Sequence, residues 1–528
     1  MERWMNLLQH PHSRIFLTVH DRPMAQRLRS DAIAGIGARA AIVSLTRLLN
    51  QGLILISPVI LVRLLSVEDF GRYREFLVYA TVLISIAGFG INSSLLRFVP
   101  DDPERGWRFV DQAALLTLAS SLLVTGSVFV LDSAMAGQLL GEFGARVALY
   151  VLLFVNLDFW EFLWLSERRS YAVLGYTTTR LVGRIVVVTV TAFFTGSVDA
   201  LIQALILLEA VRLTISALAW RARARRIEDP GDYRWREQLR FCVPFGSALV
   251  LVAMNKSLGA LFVAKMLGPV ALAYYSIGVY VQPVITVLRN SLSDVLLPEM
   301  VREQGRSRPE QLHLWRRATV AAAVALIGTG VVLVRFAEPL IETFFSSKYV
   351  AAVPIFQLFV LTFLREIIDF AVPLRALDRT GAILRSNVLA LLINAGLLIL
   401  LLPQWGVSGA VAAFLVARAI EGVYLAHETA RAYGIRMRAL ADWGDLLKIG
   451  VAAALAYVVI APSFWMEHMG IMGVALGALS YLAAFAVLLV TFRIPEASRV
   501  ANLLRAATVL VAKRALRRAR RSCVRSRS

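Results

Sequence analysis

The chain has 528 residues, 58% of them apolar and 17% charged, with a mean hydropathy of +0.66. Soluble globular domains lie near 45–50% apolar and about 25% charged, so this composition excludes a disordered chain, a fibrous protein and an ordinary cytosolic enzyme. The net charge of +20, from 56 Lys and Arg against 36 Asp and Glu, would point to nucleic acid in a soluble protein; here most charges fall between apolar blocks, and no nucleic-acid partner is expected.

Residues 1–35 are basic, with Arg3, Arg14, Arg22, Arg27 and Arg29, and lack the unbroken apolar core of a cleavable signal peptide. The first apolar block is therefore expected to stay as an anchor. A spanning helix needs about 20 mostly apolar residues. Fourteen blocks qualify: 39–63, 74–97, 109–131, 145–165, 171–194, 200–220, 241–264, 270–296, 318–335, 350–371, 386–402, 407–427, 446–464 and 471–492. The expected fold is an all-α polytopic membrane protein.

Loop charge sets the orientation. With the N-terminus in the cytoplasm, the inner loops carry Arg105 and Arg108, Arg168 and Arg169, the arginines from Arg221 to Arg236, those from Arg302 to Arg317, then Arg375, Arg379, Arg385 and Arg431 to Lys448. The loops 132–144, 195–199, 266–269, 336–349, 403–406 and 465–470 hold only Lys348, and the turn 64–73 adds Arg72. Arg63, Arg74, Arg146, Lys265 and Arg335 flank the outer loops at span ends. An even count leaves both termini inside. The tail from Lys513, KRALRRARRSCVRSRS, has no acidic residue and reads as an anchor against anionic headgroups. Cys242 and Cys523 make neither a disulfide framework nor a metal site, and no cofactor motif appears.

The turn Arg63-Leu-Leu-Ser-Val-Glu-Asp-Phe-Gly-Arg-Tyr73 aligns without a gap on Lys265-Met-Leu-Gly-Pro-Val-Ala-Leu-Ala-Tyr-Tyr275, about six spans later. Six is even, so the halves share one orientation, a parallel repeat about the membrane normal. The segments read as an N-terminal cytoplasmic piece (1–35), an N-lobe of helices 1–6 (36–222), a basic linker (223–239), a C-lobe of helices 7–12 (240–430), two extra helices (440–493) and a basic tail (494–528).

LLSVEDFGRY (64–73), GFGINSSLLRFVP (88–100), MLGPVALAYYSIG (266–278) and LLPQWGVSGAVAAFLVAR (401–418) together resemble the O-antigen and exopolysaccharide flippase branch of the multidrug/oligosaccharidyl-lipid/polysaccharide (MOP) exporter superfamily, over residues 35–490. The resemblance implies two six-helix lobes, a bacterial inner-membrane location and translocation of undecaprenyl-diphosphate-linked oligosaccharides between leaflets. It makes membrane lipids, a polysaccharide polymerase and chain-length machinery the expected partners, and H+ or Na+ the candidate coupling ions. The chain departs from many members by carrying Asn255-Lys256 in the seventh span, where they have an acidic–basic pair.

Charges inside spans are costly and mark a partner or a wet cavity. Arg47, Arg180, Arg184, Lys256 and Arg289 are the candidate lining of a cationic lumen for a diphosphate, with Arg180 and Arg184 on one helical face. The competing reading welds those two arginines to Asp158 and Glu161, three apart on one face, in an ion-pair network that is also a candidate for coupling. Glu209–Arg212 and Arg418–Glu421 read as self-paired structural charges, and Glu366 and Asp369 as interfacial. A multidrug exporter of the same superfamily is an alternative, but cationic drugs suit an acidic lumen. A membrane glycan polymerase or ligase is another, but the outer loops are short and carry no catalytic constellation. No enzymatic activity is expected.

Overall fold

The computed structural model describes Gly52 and residues 56–101, 106–135, 140–224, 233–302, 308–460 and 470–494, which are helical and contain no strand. Arg47, most of the first span, part of the linker and the basic tail lie outside the described residues. Among those described, nine helices are long and apolar enough to cross a bilayer, or ten with one bent pair counted as a span. The elements in chain order are α1 (56–64), α2 (Val67–Gly88), α3 (Leu95–Asp101), α4 (Trp107–Ala134), α5 (Gly144–Val155), α6 (Trp160–Ser166), α7 (Ser170–Thr195), α8 (Val198–Ala224) and α9 (Trp235–Val279). They continue with α10 (Gln282–Arg302), α11 (Arg308–Arg335), α12 (Ala337–Phe345), α13 (Val353–Val360), α14 (Thr362–Glu366), α15 (Ala371–Ala376), α16 (Thr380–Tyr433), α17 (Trp443–Ile460) and α18 (Gly470–Thr491).

Two elements are too long for a single crossing. α9 runs 45 residues and α16 runs 54, against about 20 residues for the hydrocarbon core. Each contains a glycine with non-helical backbone, Gly268 (φ 83) and Gly406 (φ 55). The chain reverses there. The Tyr275 hydroxyl lies 2.3 Å from where a Cβ on Gly259 would stand, and Leu401 O lies 2.2 Å from the same point on Gly409. Both elements are therefore two-span hairpins, and every expected span from the second to the fourteenth has a helical counterpart.

The duplicated turns cap helices in two ways. Ser66 accepts from Asp69 N at 3.0 Å and its hydroxyl donates to Asp69 Oδ2 at 2.6 Å, fixing the start of α2. In the second copy Gly268 takes the Ser66 position and Pro269 opens the helix, where its missing N–H costs nothing.

The fourth span is not one helix. It breaks between α5 and α6 at Asn156–Phe159, with Leu157 at φ 52. Asp158 sits in the break while Glu161 lies in α6, so the expected single face carrying both is not formed. The tenth span breaks similarly between α14 and α15.

Two bundles result. α2–α8 form one; α10, α11 and α13–α17 form the other, with α12 and α18 packed beside it. Their outer surfaces are apolar: Leu118 and Leu122 on α4, and Val182, Val186 and Val190 on α7, are exposed at four-residue spacing, as a lipid-facing stripe requires. We call the end bearing the arginine-rich connections the basic end and the other the opposite end.

Candidate functional site

The bundles meet chiefly through α2 and α9. At the opposite end, Gly71 lies so close to Pro269 that a Cβ would stand 1.9 Å from its carbonyl oxygen. Phe70 packs edge-on against Tyr349 at 5.9 Å, and Arg63 donates to Thr343 O at 2.5 Å. Toward the basic end, a Cβ on Gly246 would stand 2.2 Å from Phe89 O. There the first arm of α9 is tied to the N-terminal bundle: buried Gln238 donates to Ser94 Oγ at 2.8 Å and accepts from Gln112 at 3.2 Å. Gly71 and Phe89 are 18 positions apart on and just beyond α2, so the two contacts are separated by about 27 Å, close to the thickness of a hydrocarbon core.

Between these contacts lies a cavity of about 390 Å³. It is lined from α1 (Ser57, Pro58), α2 (Tyr73, Arg74), α7 (Arg184) and α9 (Lys256, Ser257, Tyr275, Ser276), with Tyr280 just beyond. Among the described residues its charged lining is Arg74, Arg184 and Lys256, with no carboxylate. Arg74 donates from Nε to Ser276 Oγ at 3.1 Å, across the bundles, and its guanidinium lies 5.6 Å from the centre of the Tyr280 ring. Among the described residues neither Arg184 nor Lys256 has an ion-pair partner. The Tyr280 hydroxyl is buried without a hydrogen bond among the described residues. Three cations and an unsatisfied hydroxyl are the donor set that an anion with several oxygens would need.

Arg180, one turn from Arg184, turns elsewhere. Its Nη1 donates to Asp158 Oδ1 at 2.5 Å, its Nη2 lies 3.7 Å from Glu209 Oε2, and it stacks on Phe154 at 4.5 Å. Arg212 donates to Glu209 at 2.5 Å and to the carbonyls of Leu153, Phe154 and Asn156 at 2.5, 3.0 and 3.1 Å. It thereby satisfies the carbonyls that the break in α5 leaves open. This network holds two arginines and two carboxylates and is neutral.

A second network occupies the C-terminal bundle. Arg289 donates to Glu366 at 2.7 Å; Arg418 pairs with both Glu366 and Glu421; Arg365 lies 3.8 Å from Glu421 and donates to Arg418 O at 3.2 Å. Asp369 accepts from Ser293 at 2.6 Å and caps α15 through Ala371 N at 3.0 Å. Three arginines again meet three carboxylates. Arg289 is therefore placed in this network and does not line the cavity. Glu366 and Asp369, read from sequence as interfacial, are paired inside the bundle, Glu366 being only 9% exposed.

The networks are related by the repeat. Leu157-Asp158-Phe159 and Ile368-Asp369-Phe370 sit at the breaks of spans four and ten, and Glu209 and Glu421 sit in spans six and twelve. The structure thus sorts the expected site residues. Arg184 and Lys256 reach the cavity; Arg180, Asp158 and Arg289 enter neutral networks; Glu161 lies in α6, away from the cavity lining. Arg74 was missed because it stands at a span end, where a flanking basic residue is ordinary. No group of three or more potential metal ligands occurs among the described residues.

The architecture has counterparts among solved membrane proteins. It is similar to the lipid II flippase MurJ in an inward closed conformation, at 15% identity over 85% of this chain and 99% of that one, with a TM-score of 0.56. It is also similar to a multidrug resistance MATE family transporter of the MOP superfamily in an inward-facing conformation, at 14% identity over 72% of this chain and 95% of that one, with a TM-score of 0.53. At these identities the likeness is one of fold alone, and it agrees with the apolar helices in describing a multi-pass membrane protein. The family described as "Polysaccharide biosynthesis protein" matches residues 60–354, more than half of the chain, and the chain belongs to that family. No curated protein sequence matches it significantly.

Proposed function

We propose that this chain is a flippase that moves undecaprenyl-diphosphate-linked oligosaccharide repeat units across the bacterial inner membrane by alternating access. The basic end faces the cytoplasm, with both chain termini on that side. The observation that carries this reading is the charge of the interbundle cavity: among the described residues Arg74, Arg184 and Lys256 line it without a carboxylate, whereas Arg180, Arg212, Arg289 and Arg418 are paired with carboxylates within their bundles. A diphosphate fits three cations; a cationic drug does not, which disfavours the exporter alternative. The two α2–α9 contacts support alternating access, because opening one while keeping the other exposes the cavity to one side at a time. The N-lobe, linker and C-lobe keep the boundaries given above, with the first arm of α9 riding on the N-lobe at the cytoplasmic end. Coupling to a H+ or Na+ gradient, and handover to a polymerase and chain-length machinery, belong to the same proposal.

The deciding measurement is the leaflet location of the undecaprenyl-linked repeat unit in a deletion strain. Accumulation on the cytoplasmic side, reversed by the wild-type chain but not by Arg184→Ala/Lys256→Ala, supports the reading. Normal delivery to the periplasm in a strain without a redundant flippase overturns it.

A further inference from the structure

A second and larger cavity, of about 830 Å³, opens at the basic end between α3, the first arm of α9 and the start of α16. Its polarity changes with depth. Arg97 lies one turn from the end of α3, Arg240 lies five residues into α9, and Thr380 opens α16, so all three stand at headgroup level. Phe245 and Leu384 lie deeper and are 38% and 44% exposed, an apolar floor at the depth of hydrocarbon.

The charges are not balanced within the site. Among the described residues Glu237 is the carboxylate of the lining, and Arg234 already pairs with it at 3.4 Å. Arg97 and Arg240 have no carboxylate partner among the described residues. Arg97 is held in place by aromatic faces, 5.6 Å from the centre of Phe98 and 5.4 Å from that of Phe241. Two guanidinium groups, that of Arg97 held by aromatic rings, above an apolar, partly aromatic floor have the polarity profile of an anionic amphiphile.

We propose that this cavity binds an anionic glycerophospholipid of the adjacent leaflet, its phosphate between Arg97 and Arg240 and an acyl chain along Phe245 and Leu384. A soluble anion would leave the apolar floor uncovered. Among the described residues a lipid-linked glycan would find, beside these charges, only the Thr380 hydroxyl for its many sugar hydroxyls. The bound lipid braces the two bundles together, since α3 belongs to one and α16 to the other. It also lies against Phe245, whose Cδ1 is 3.0 Å from the Cβ position of Gly90 at the basic-end contact. Occupancy therefore favours the closed state of that contact. This inference does not rest on the flippase reading, because its readout is lipid binding and not transport.

The test uses the full chain, purified in mild detergent and titrated with phosphatidylglycerol or phosphatidylcholine of matched acyl chains, with native mass spectrometry as the readout. The wild type is expected to prefer phosphatidylglycerol, and Arg97→Gln/Arg240→Gln to lose about thirtyfold of that affinity. Arg221→Gln, an exposed arginine on the same end, is expected to behave as wild type. Leu384→Trp, which fills the floor without touching the charges, is expected to weaken phosphatidylglycerol binding with an unchanged melting temperature. Undiminished binding by both the charge and the filling variants overturns the proposal. So does displacement of the lipid by inorganic phosphate alone, or preferential retention of a polyprenyl diphosphate lipid.

Discussion

Gly71 touches Pro269 so closely that no side chain fits between α2 and the backbone of α9. The two residues belong to the two copies of one duplicated turn, so the repeat meets itself at the opposite end of the cavity. Gly71→Val must push the bundles apart there. Overpacking costs about 1–3 kcal/mol, so the open population at that end rises by a factor between about 5 and 150. With Cys242 and Cys523 replaced by Ser, a cysteine at Ser257 in the cavity lining should then label faster with an impermeant thiol reagent applied from the periplasm. An unchanged rate would count against that contact as the seal.

Gly246→Val is the mirror experiment. A Cβ there would already stand 2.2 Å from Phe89 O, and the larger side chain opens the basic-end contact. The same Ser257 probe should label faster in inverted membrane vesicles and no faster in intact cells. Faster labelling from both sides would mean that the two contacts are not independent.

Arg180 and Arg184 should separate cleanly, although they are one helical turn apart. Arg184 has no ion-pair partner among the described residues, so Arg184→Ala orphans no carboxylate. It should abolish polysaccharide export at near wild-type melting temperature. Arg180→Ala leaves Asp158 and Glu209 short of a partner and should cost about 3–5 kcal/mol of stability. Adding Asp158→Asn should recover part of that loss, as coupled neighbours do. The check is thermal melting in detergent beside an export assay.

The C-terminal network predicts stability effects without a binding role. Glu366 bridges Arg289 and Arg418, so Glu366→Gln leaves two arginines undercompensated. We expect a loss of a few kcal/mol, comparable to that of Arg180→Ala, and a smaller loss for Glu366→Gln/Arg418→Gln than for the sum of the single variants.

A surface pair gives the contrast. Arg72 makes two 2.8 Å hydrogen bonds to Glu142 at the opposite end, where Glu142 is half exposed. Arg72→Gln should leave the melting temperature almost unchanged, since such pairs are worth little in water. The pairing of Arg72 with Glu142, and of Arg146 with Asp199, also explains how basic residues are tolerated on the side that the loop charges leave poor in arginine.

The sequence by itself determined the helices, their alternating direction and the parallel repeat. A bilayer offers no hydrogen bonds to an open backbone, so the crossings are built from apolar helical segments with most charges kept outside. That pattern is local and can be read residue by residue. The duplicated turn at 63–73 and 265–275 was equally visible, because it lies within eleven consecutive residues. The second duplicated motif, Leu157-Asp158-Phe159 and Ile368-Asp369-Phe370, was present in the sequence too, but helix breaks inside apolar blocks leave hydropathy unchanged. Only the tertiary structure decided which intramembrane charges are spent and which are free. Arg180 and Arg184 share a helix and a composition. Their roles differ because Asp158 and Glu209, distant in sequence, stand beside the first, while α1, α2 and α9 leave open space beside the second. Electrostatic partnership inside a membrane depends on distances between helices, which periodicity along one helix does not encode.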